Sequence, residues 1–269
     1  MPQTKDILEK TLEAYDDVFA DICNALLFKG RQLVRPSDLR DAQPFSYYKA
    51  ENSIRAQDRD VAKYWNKFAI RIALFGMENQ SKVFKFMPLR VISYDGAAYR
   101  AQLNEDTDPK YPVVTIVLYF GKERWRNRNL FDCIELPDEL RPFVNDYRIN
   151  VFEICYLTED QIGYFQSDFK VLADYFVHSL NDPNYRPKDP QKFKHAAEVL
   201  ELLSVFADER FGDLVDAEGG LPGDMCEVFD RAVQQGVVIG EEKGRAAGIL
   251  IGEERGRAAG ILYGARRAG

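Results

Sequence analysis

The chain has 269 residues, of which 46% are hydrophobic, 13% aromatic and 29% charged, with 36 Lys and Arg against 43 Asp and Glu, a formal net charge of −7 and a pI near 5.1. This composition supplies the core of one or two domains and argues against a largely disordered chain. The acidic balance speaks mildly against nucleic-acid binding through overall charge, but it is compatible with an acidic metal site and a local basic patch.

Leu8, Leu12, Tyr15, Phe19, Ile22, Ala25 and Leu26 follow the three-to-four spacing of one buried helix face and predict a helix over 6–28, stopped by Gly30. Residues 31–51 are turn-rich, with Pro36 and Pro44. The runs 60–65 and 70–80 predict two strands joined by a turn at Asn66-Lys67, hence a hairpin. Pro88 opens a predicted helix over 88–105. The β-branched, apolar stretch 111–120 predicts a central strand covered on both faces and closed by Gly121. Residues 122–129 form the densest basic cluster of the body, 148–157 read as another strand, and helices are predicted over 158–180 and 190–207 across a Pro-rich loop. The order predicts an α/β fold with a mixed central sheet flanked by helices and a helical C-terminal extension.

The tail has its own pattern. A twelve-residue unit, 240–251, repeats at 252–263, and Gly recurs every four residues from Gly236 to Gly264. Two readings stay open: a helix that pairs with a partner chain as a homo-oligomer, or a largely disordered tail, because each Gly costs about 1 kcal/mol against Ala in a helix. The expected organisation is a domain over 1–180, a helical extension over 181–235 and the repetitive tail over 236–269. Cys23, Cys133, Cys155 and Cys226 are far apart and form no CxxC pair, so neither a zinc site nor a disulfide framework is expected. With neither a signal-peptide pattern nor about 18 uninterrupted apolar residues, the expectation is a cytoplasmic protein with no membrane span.

The hairpin carries the chemistry. Residues i and i+2 of a strand share a face, so Glu78 and Gln80 point the same way, and Asp60 at the start of the first strand can lie across from Glu78. Two carboxylates can hold a hard cation such as Mg²⁺, with Mn²⁺ as a substitute, and the cation polarises a phosphodiester and activates a water. The third group, Gln80, can hold the water or a metal ligand through its amide but cannot take a proton near neutral pH. Asp58 competes with Asp60 as first carboxylate, with Asp60 favoured because it begins the strand run. On spacing alone the ordinary alternative, carboxylates solvated at strand ends, stays open.

Three runs in order add to this: Gly76-Met77-Glu78-Asn79-Gln80, then Met87 to Tyr94, then Tyr99 to Leu103, followed by the apolar strand ending at Gly121 and preceded by Arg59-Asp60-Val61. Together they resemble the central block of the Rpn recombination-promoting nucleases, a family of the PD-(D/E)xK superfamily also described as putative transposases. The resemblance covers residues 15 to 205. It implies a restriction-endonuclease-like core and a Mg²⁺-dependent DNA endonuclease that promotes recombination, with Asp60 and Glu78 as metal ligands and Gln80 completing the triad. Gln in place of Lys is usual in that family. The alternative is a catalytically silent relative that binds DNA or self-assembles.

Further residues are candidates for DNA contact. Arg90 and Tyr94 lie one helical turn apart, suited to bind phosphate or brace the carboxylates, or simply to pack the helix on the sheet. Lys122, Arg124, Arg126 and Arg128 could grip the DNA backbone, with Trp125 stacking on a base or sugar, against the plainer reading of a solvated loop. Asp17 and Asp21 lie one turn apart on the first helix, where a solvent-facing position is the expectation and a place near the metal the alternative. His178 and His195 receive no role. There is no Gly-x-Ser-x-Gly elbow and no P-loop.

Overall fold

The computed structural model describes residues 12–42, 45–50, 53–58, 60–67, 70–105, 108–182, 185–187, 193–206 and Arg245. The other residues, including nearly all of the predicted extension beyond 206 and the repetitive tail, lie outside the described residues.

Helix α1 (Asp16–Ile22) runs into a wider turn over Cys23–Leu27 and stops where Lys29 and Gly30 adopt φ of 53° and 81°. The left-handed backbone there ends the helix, as the glycine predicts. Strands β1 (Leu39–Asp41), β2 (Phe45–Ala50) and β3 (Ser53–Asp58) follow. Then come β4 (Val61–Lys67), β5 (Ile70–Gln80), α2 (Met87–Asn104), β6 (Val113–Tyr119), β7 (Asn150–Glu153), α3 (Glu159–Ile162), α4 (Phe169–Ser179) and α5 (Ala196–Phe206). The main sheet has five strands in the order β1-β4-β5-β6-β7, while β2 and β3 pair with each other in a separate ribbon. β1, β4 and β5 are antiparallel neighbours; β5, β6 and β7 are parallel. The fold is a mixed α/β sheet flanked by helices, compatible with a restriction-endonuclease-like core.

The β4–β5 hairpin forms as the sequence predicts, with Val61 opposite Met77 and Tyr64 opposite Leu74. Asn66 and Lys67 are not its turn: they continue β4 past a register shift at Trp65 and Asn66. The β5–α2–β6 unit is the crossover that two parallel strands require. β6 pairs on both sides, which explains its near-continuous apolar sequence.

Alternation along the strands gives the sheet two faces. Val61, Phe75, Met77, Ile116 and Leu118 pack into one core with residues of α1, α4 and α5. Val117 and Tyr119 face the other way, against Met87 and Val91 of α2 and against Trp125. Helix α2 is also pinned by polar groups. Asp95, buried, accepts from Thr115 Oγ1 at 2.6 Å and from the Tyr147 hydroxyl. The Gln102 side chain makes two bonds to the Tyr111 backbone, at 3.1 and 2.9 Å. Each satisfies a donor or acceptor that burial would otherwise leave unpaired.

Three expectations need correction. The strand predicted over 148–157 is only four residues long before a 3-10 turn at Ile154–Tyr156. The helix predicted over 158–180 is broken into α3 and α4. At the break, Asp21 of α1 accepts from the backbone N–H of Gln166 at 2.9 Å and of Ser167 at 2.7 Å. Asp21 is therefore buried, at 5% exposure, rather than facing solvent, and its burial raises its pKa above the ordinary carboxylate value. Asp17 contacts Lys194 Nζ at 2.7 Å and His195 Nε2 at 3.1 Å, so both acids serve the packing of α1 on the C-terminal helices.

Candidate metal centre and nucleic-acid face

Asp60 sits one residue before β4, and the pairing of Val61 with Met77 brings it level with Glu78 on β5. Its Oδ2 accepts the backbone N–H of Asn79 at 2.6 Å. The first candidate carboxylate is thereby fastened to the peptide unit between Glu78 and Asn79. Asp58 belongs to β3, where it pairs with Phe45 in the separate ribbon. The two aspartates that compete in the sequence thus lie on different sheets, and it is Asp60 that bonds to β5.

Glu78 pairs with Val117 and Gln80 with Tyr119 on the parallel neighbour β6. The side chain of Glu78 lies outside the described residues. Gln80 is half-buried, and its carbonyl accepts from Phe120 N at 2.9 Å. Among the described residues no group of three or more His, Cys, Asp or Glu side chains converges as a metal cluster. A site built from Asp60, Glu78 and Gln80 is of a different kind, with two carboxylates and one neutral amide. Those oxygen donors fit a hard divalent cation that retains part of its water shell.

Asn79 faces the opposite side of the sheet from that site. Its Nδ2 donates to Glu13 Oε2 at 2.6 Å, and both residues are buried. Nothing in the sequence pattern marks this pair, because Glu13 and Asn79 are 66 residues apart. Its effect is to lock the peptide that holds Asp60. A further buried charge, Lys63 on β4, bonds to Asp16 at 2.8 Å and to Asp41, tying α1 and β1 to the hairpin.

Arg90 and Tyr94 of α2 do meet: Arg90 Nε donates to the Tyr94 hydroxyl at 2.7 Å, and the guanidinium lies 5.6 Å from the ring centre. Tyr94 is buried and Arg90 half-buried.

The basic loop after β6 divides into two kinds of residue. Arg128 is committed to the fold, donating to the Val151 carbonyl at 2.7 Å and pairing with Glu153. Trp125 is 3% exposed and packs edge-on against Tyr119, centroids 5.0 Å apart, with Nε1 donating to the Asn127 carbonyl. It is a core residue, which corrects both readings of it, as a stacking surface for DNA and as part of a solvated loop. Lys122, Arg124 and Arg126 remain exposed. Arg124 lies 4.0 Å above the Tyr156 ring and 3.6 Å from Glu153. Arg124 and Arg126, with Val83, Glu123 and Asn127, line a cleft of about 450 Å³. Val83 belongs to the β5–α2 loop, which also carries exposed Lys82 and Lys85, two cations that the sequence pattern does not single out. Both loops leave the carboxyl ends of parallel strands, where open α/β sheets place their ligands.

Cys23, Cys133 and Cys155 are free and buried, and burial raises all three thiols, Cys155 to about 11. They are poor nucleophiles or metal ligands at neutral pH. Among the described residues no helix is long and apolar enough to cross a membrane.

Residues 73–177 match the model of a family described as putative transposase, YhgA-like. The match spans Glu78, Gln80, Arg90, Tyr94 and the basic loop, and leaves Asp60 upstream of it. The chain matches no curated protein and no solved structure.

Proposed function

We propose that this chain, which matches the YhgA-like putative transposase family across 73–177, is a metal-dependent DNA endonuclease of the PD-(D/E)xK type. The observation that carries the reading is the hairpin register, which brings Asp60 level with Glu78 and bonds it to the next peptide N–H. Asp60 and Glu78 hold Mg²⁺ or Mn²⁺, and Gln80 completes the site. A divalent cation held there polarises the scissile phosphoryl group and lowers the pKa of its bound water.

The chain's own groups do the rest. The Asn79 amide fixes one oxygen of Asp60, so that the carboxylate meets its ligand without reorganising. Gln80 stays neutral at every working pH, so it orients the attacking water through hydrogen bonds while the proton leaves to solvent or to a phosphate oxygen. Arg90, held by Tyr94, faces the phosphate charge. Lys122, Arg124 and Arg126 hold the strand through its backbone, a sequence-independent attraction that survives the acidic total charge because it is local. Gln80 also supports a second reading, a silent relative that binds DNA without cutting it, because a neutral amide cannot take the proton.

Incubation of supercoiled plasmid with purified protein and Mg²⁺ or Mn²⁺, beside EDTA and Glu78→Ala, decides between them. Nicking that requires the metal and vanishes in the variant is expected. A folded parent that binds the plasmid and leaves it supercoiled with either metal overturns the nuclease reading in favour of the silent relative.

A further inference from the structure

The exposed aromatic residues near the site are not where the sequence places them. The indole of Trp125 is spent on the core. Two residues beyond Gln80, the loop Lys82-Val83-Phe84-Lys85-Phe86 leads into α2. Val83 packs down beside the α2-facing core. Phe84 and Phe86 join none of the core clusters and stand 41% and 45% exposed. Their rings touch edge to face, centroids 6.2 Å apart, and Lys85 Nζ lies 5.5 Å from the Phe86 centre. Single exposed hydrophobics are ordinary, but two contacting phenylalanines on a five-residue loop with two lysines form a patch of defined chemistry.

The patch is anchored. The Cys133 thiol bonds to the Lys85 carbonyl at 2.9 Å. At the loop's start, a Cβ placed on Gly121 would come within 2.6 Å of the Ser81 carbonyl, so the two strand exits are in close contact. Val83 is shared with the cleft that Arg124 and Arg126 line. Aromatic faces and cations therefore lie together at one end of the sheet, beside the candidate centre.

We propose that the β5–α2 loop binds an unpaired DNA strand, with bases stacking on Phe84 and Phe86 and phosphates held by Lys82, Lys85, Arg124 and Arg126. The inference rests on the DNA reading above and specifies the form of DNA. In a duplex the base faces are buried against each other and cannot reach a side-chain ring; in an unpaired segment they can, and every base has such a face. The charge fits as well: Lys82, Lys85, Arg124 and Arg126 stand exposed with Glu123, and Glu153, 3.6 Å from Arg124, is largely buried, on an otherwise acidic chain. The enzyme would accordingly prefer frayed, nicked or gapped DNA over intact duplex.

The test is binding by full-length protein in EDTA, read by fluorescence anisotropy at one fixed salt concentration, so that it is independent of cleavage. The probes are a labelled oligothymidylate, an abasic strand of equal length and charge, and a duplex. The parent should bind the thymidylate about tenfold or more tighter than the abasic strand, the scale of one or two stacked bases. Phe84→Ala/Phe86→Ala should erase that difference and leave duplex binding within about twofold, because phosphate contacts persist. Phe84→Tyr/Phe86→Tyr, which keeps the rings, should retain the preference, and Phe84→Leu/Phe86→Leu, which keeps bulk alone, should lose it. Equal binding of thymidylate and abasic strands by the parent overturns the proposal and assigns the rings to another contact, such as a protein partner. So does a preference that survives in the alanine or leucine variant. Neither result bears on whether the plasmid is nicked.

Discussion

Trp125→Ala distinguishes a core indole from a DNA-contacting one. The side chain is 3% exposed, meets Tyr119 edge-on at 5.0 Å and donates Nε1–H to the Asn127 carbonyl. An aromatic side chain buries about 200 Å², worth about 5 kcal/mol at about 25 cal/mol per Å² as an upper bound. Measured Trp-to-Ala losses in cores run about 3–5 kcal/mol. At about 2–4 °C per kcal/mol for a domain of this size, the melting temperature should fall by about 10 °C. Thermal melting followed by circular dichroism reads the loss. Anisotropy well below the lowered transition should show duplex affinity within about twofold of the parent. A variant that melts like the parent yet loses DNA binding would refute the burial argument and restore the indole to the surface.

Three further outcomes follow from the same contacts. Arg128→Ala should cost about 1–3 kcal/mol in urea unfolding, because Glu153, 10% exposed, loses a paired donor; Arg126→Ala should leave stability within about 0.5 kcal/mol and reduce the salt slope of DNA binding by about one. Equal effects of the two would contradict the division of the loop. Gly121→Ala puts a Cβ 2.3 Å from the Tyr119 hydroxyl and 2.6 Å from the Ser81 carbonyl, so a loss of about 1–3 kcal/mol is expected, and a neutral result would mean that the two strand exits are not in contact. Burial pushes the Asp17 carboxyl up, but hydrogen bonds from Lys194 and His195 outweigh it and hold the pKa below its ordinary value. A depressed folded pKa gives stability that is present above the unfolded value, about 4, and is lost as pH falls through the folded one. Asp21, raised by burial and in smaller part by the Asp17 charge, acts in the opposite direction, so the parent-minus-variant difference reads Asp17 together with its effect on Asp21. Urea unfolding of Asp17→Asn from pH 6 to 3 should show a shallower acid loss than the parent, and parallel curves would exclude the carboxylate as the cause.

Local pattern carried the elements that depend on local pattern. The β4–β5 hairpin, α2 behind Pro88 and the doubly paired β6 all follow from periodicity, β-branching and one proline. The sequence favours Asp60 over Asp58 on strand position, and in the structure Asp58 pairs with Phe45 in another sheet. What failed was non-local. The break between α3 and α4 is held by Asp21, 145 residues upstream, so 158–180 reads as one helix to any local rule. Trp125 among arginines reads as surface until Tyr119 is seen beneath it. The β2–β3 ribbon sits in a segment whose Pro44 and polar residues look like loop. The Glu13–Asn79 bond joins the residues just before α1 to the candidate site and has no signal in spacing.

The most direct measurement compares plasmid nicking by the parent, Asp58→Ala, Asp60→Ala and Glu78→Ala in Mn²⁺, with circular dichroism confirming that each is folded. The account predicts that Asp60→Ala and Glu78→Ala are inert while Asp58→Ala nicks at close to the parental rate, because the register brings only Asp60 level with Glu78. An inert Asp58→Ala beside an active Asp60→Ala would contradict the site, and full activity in Glu78→Ala would place the chemistry elsewhere in the molecule.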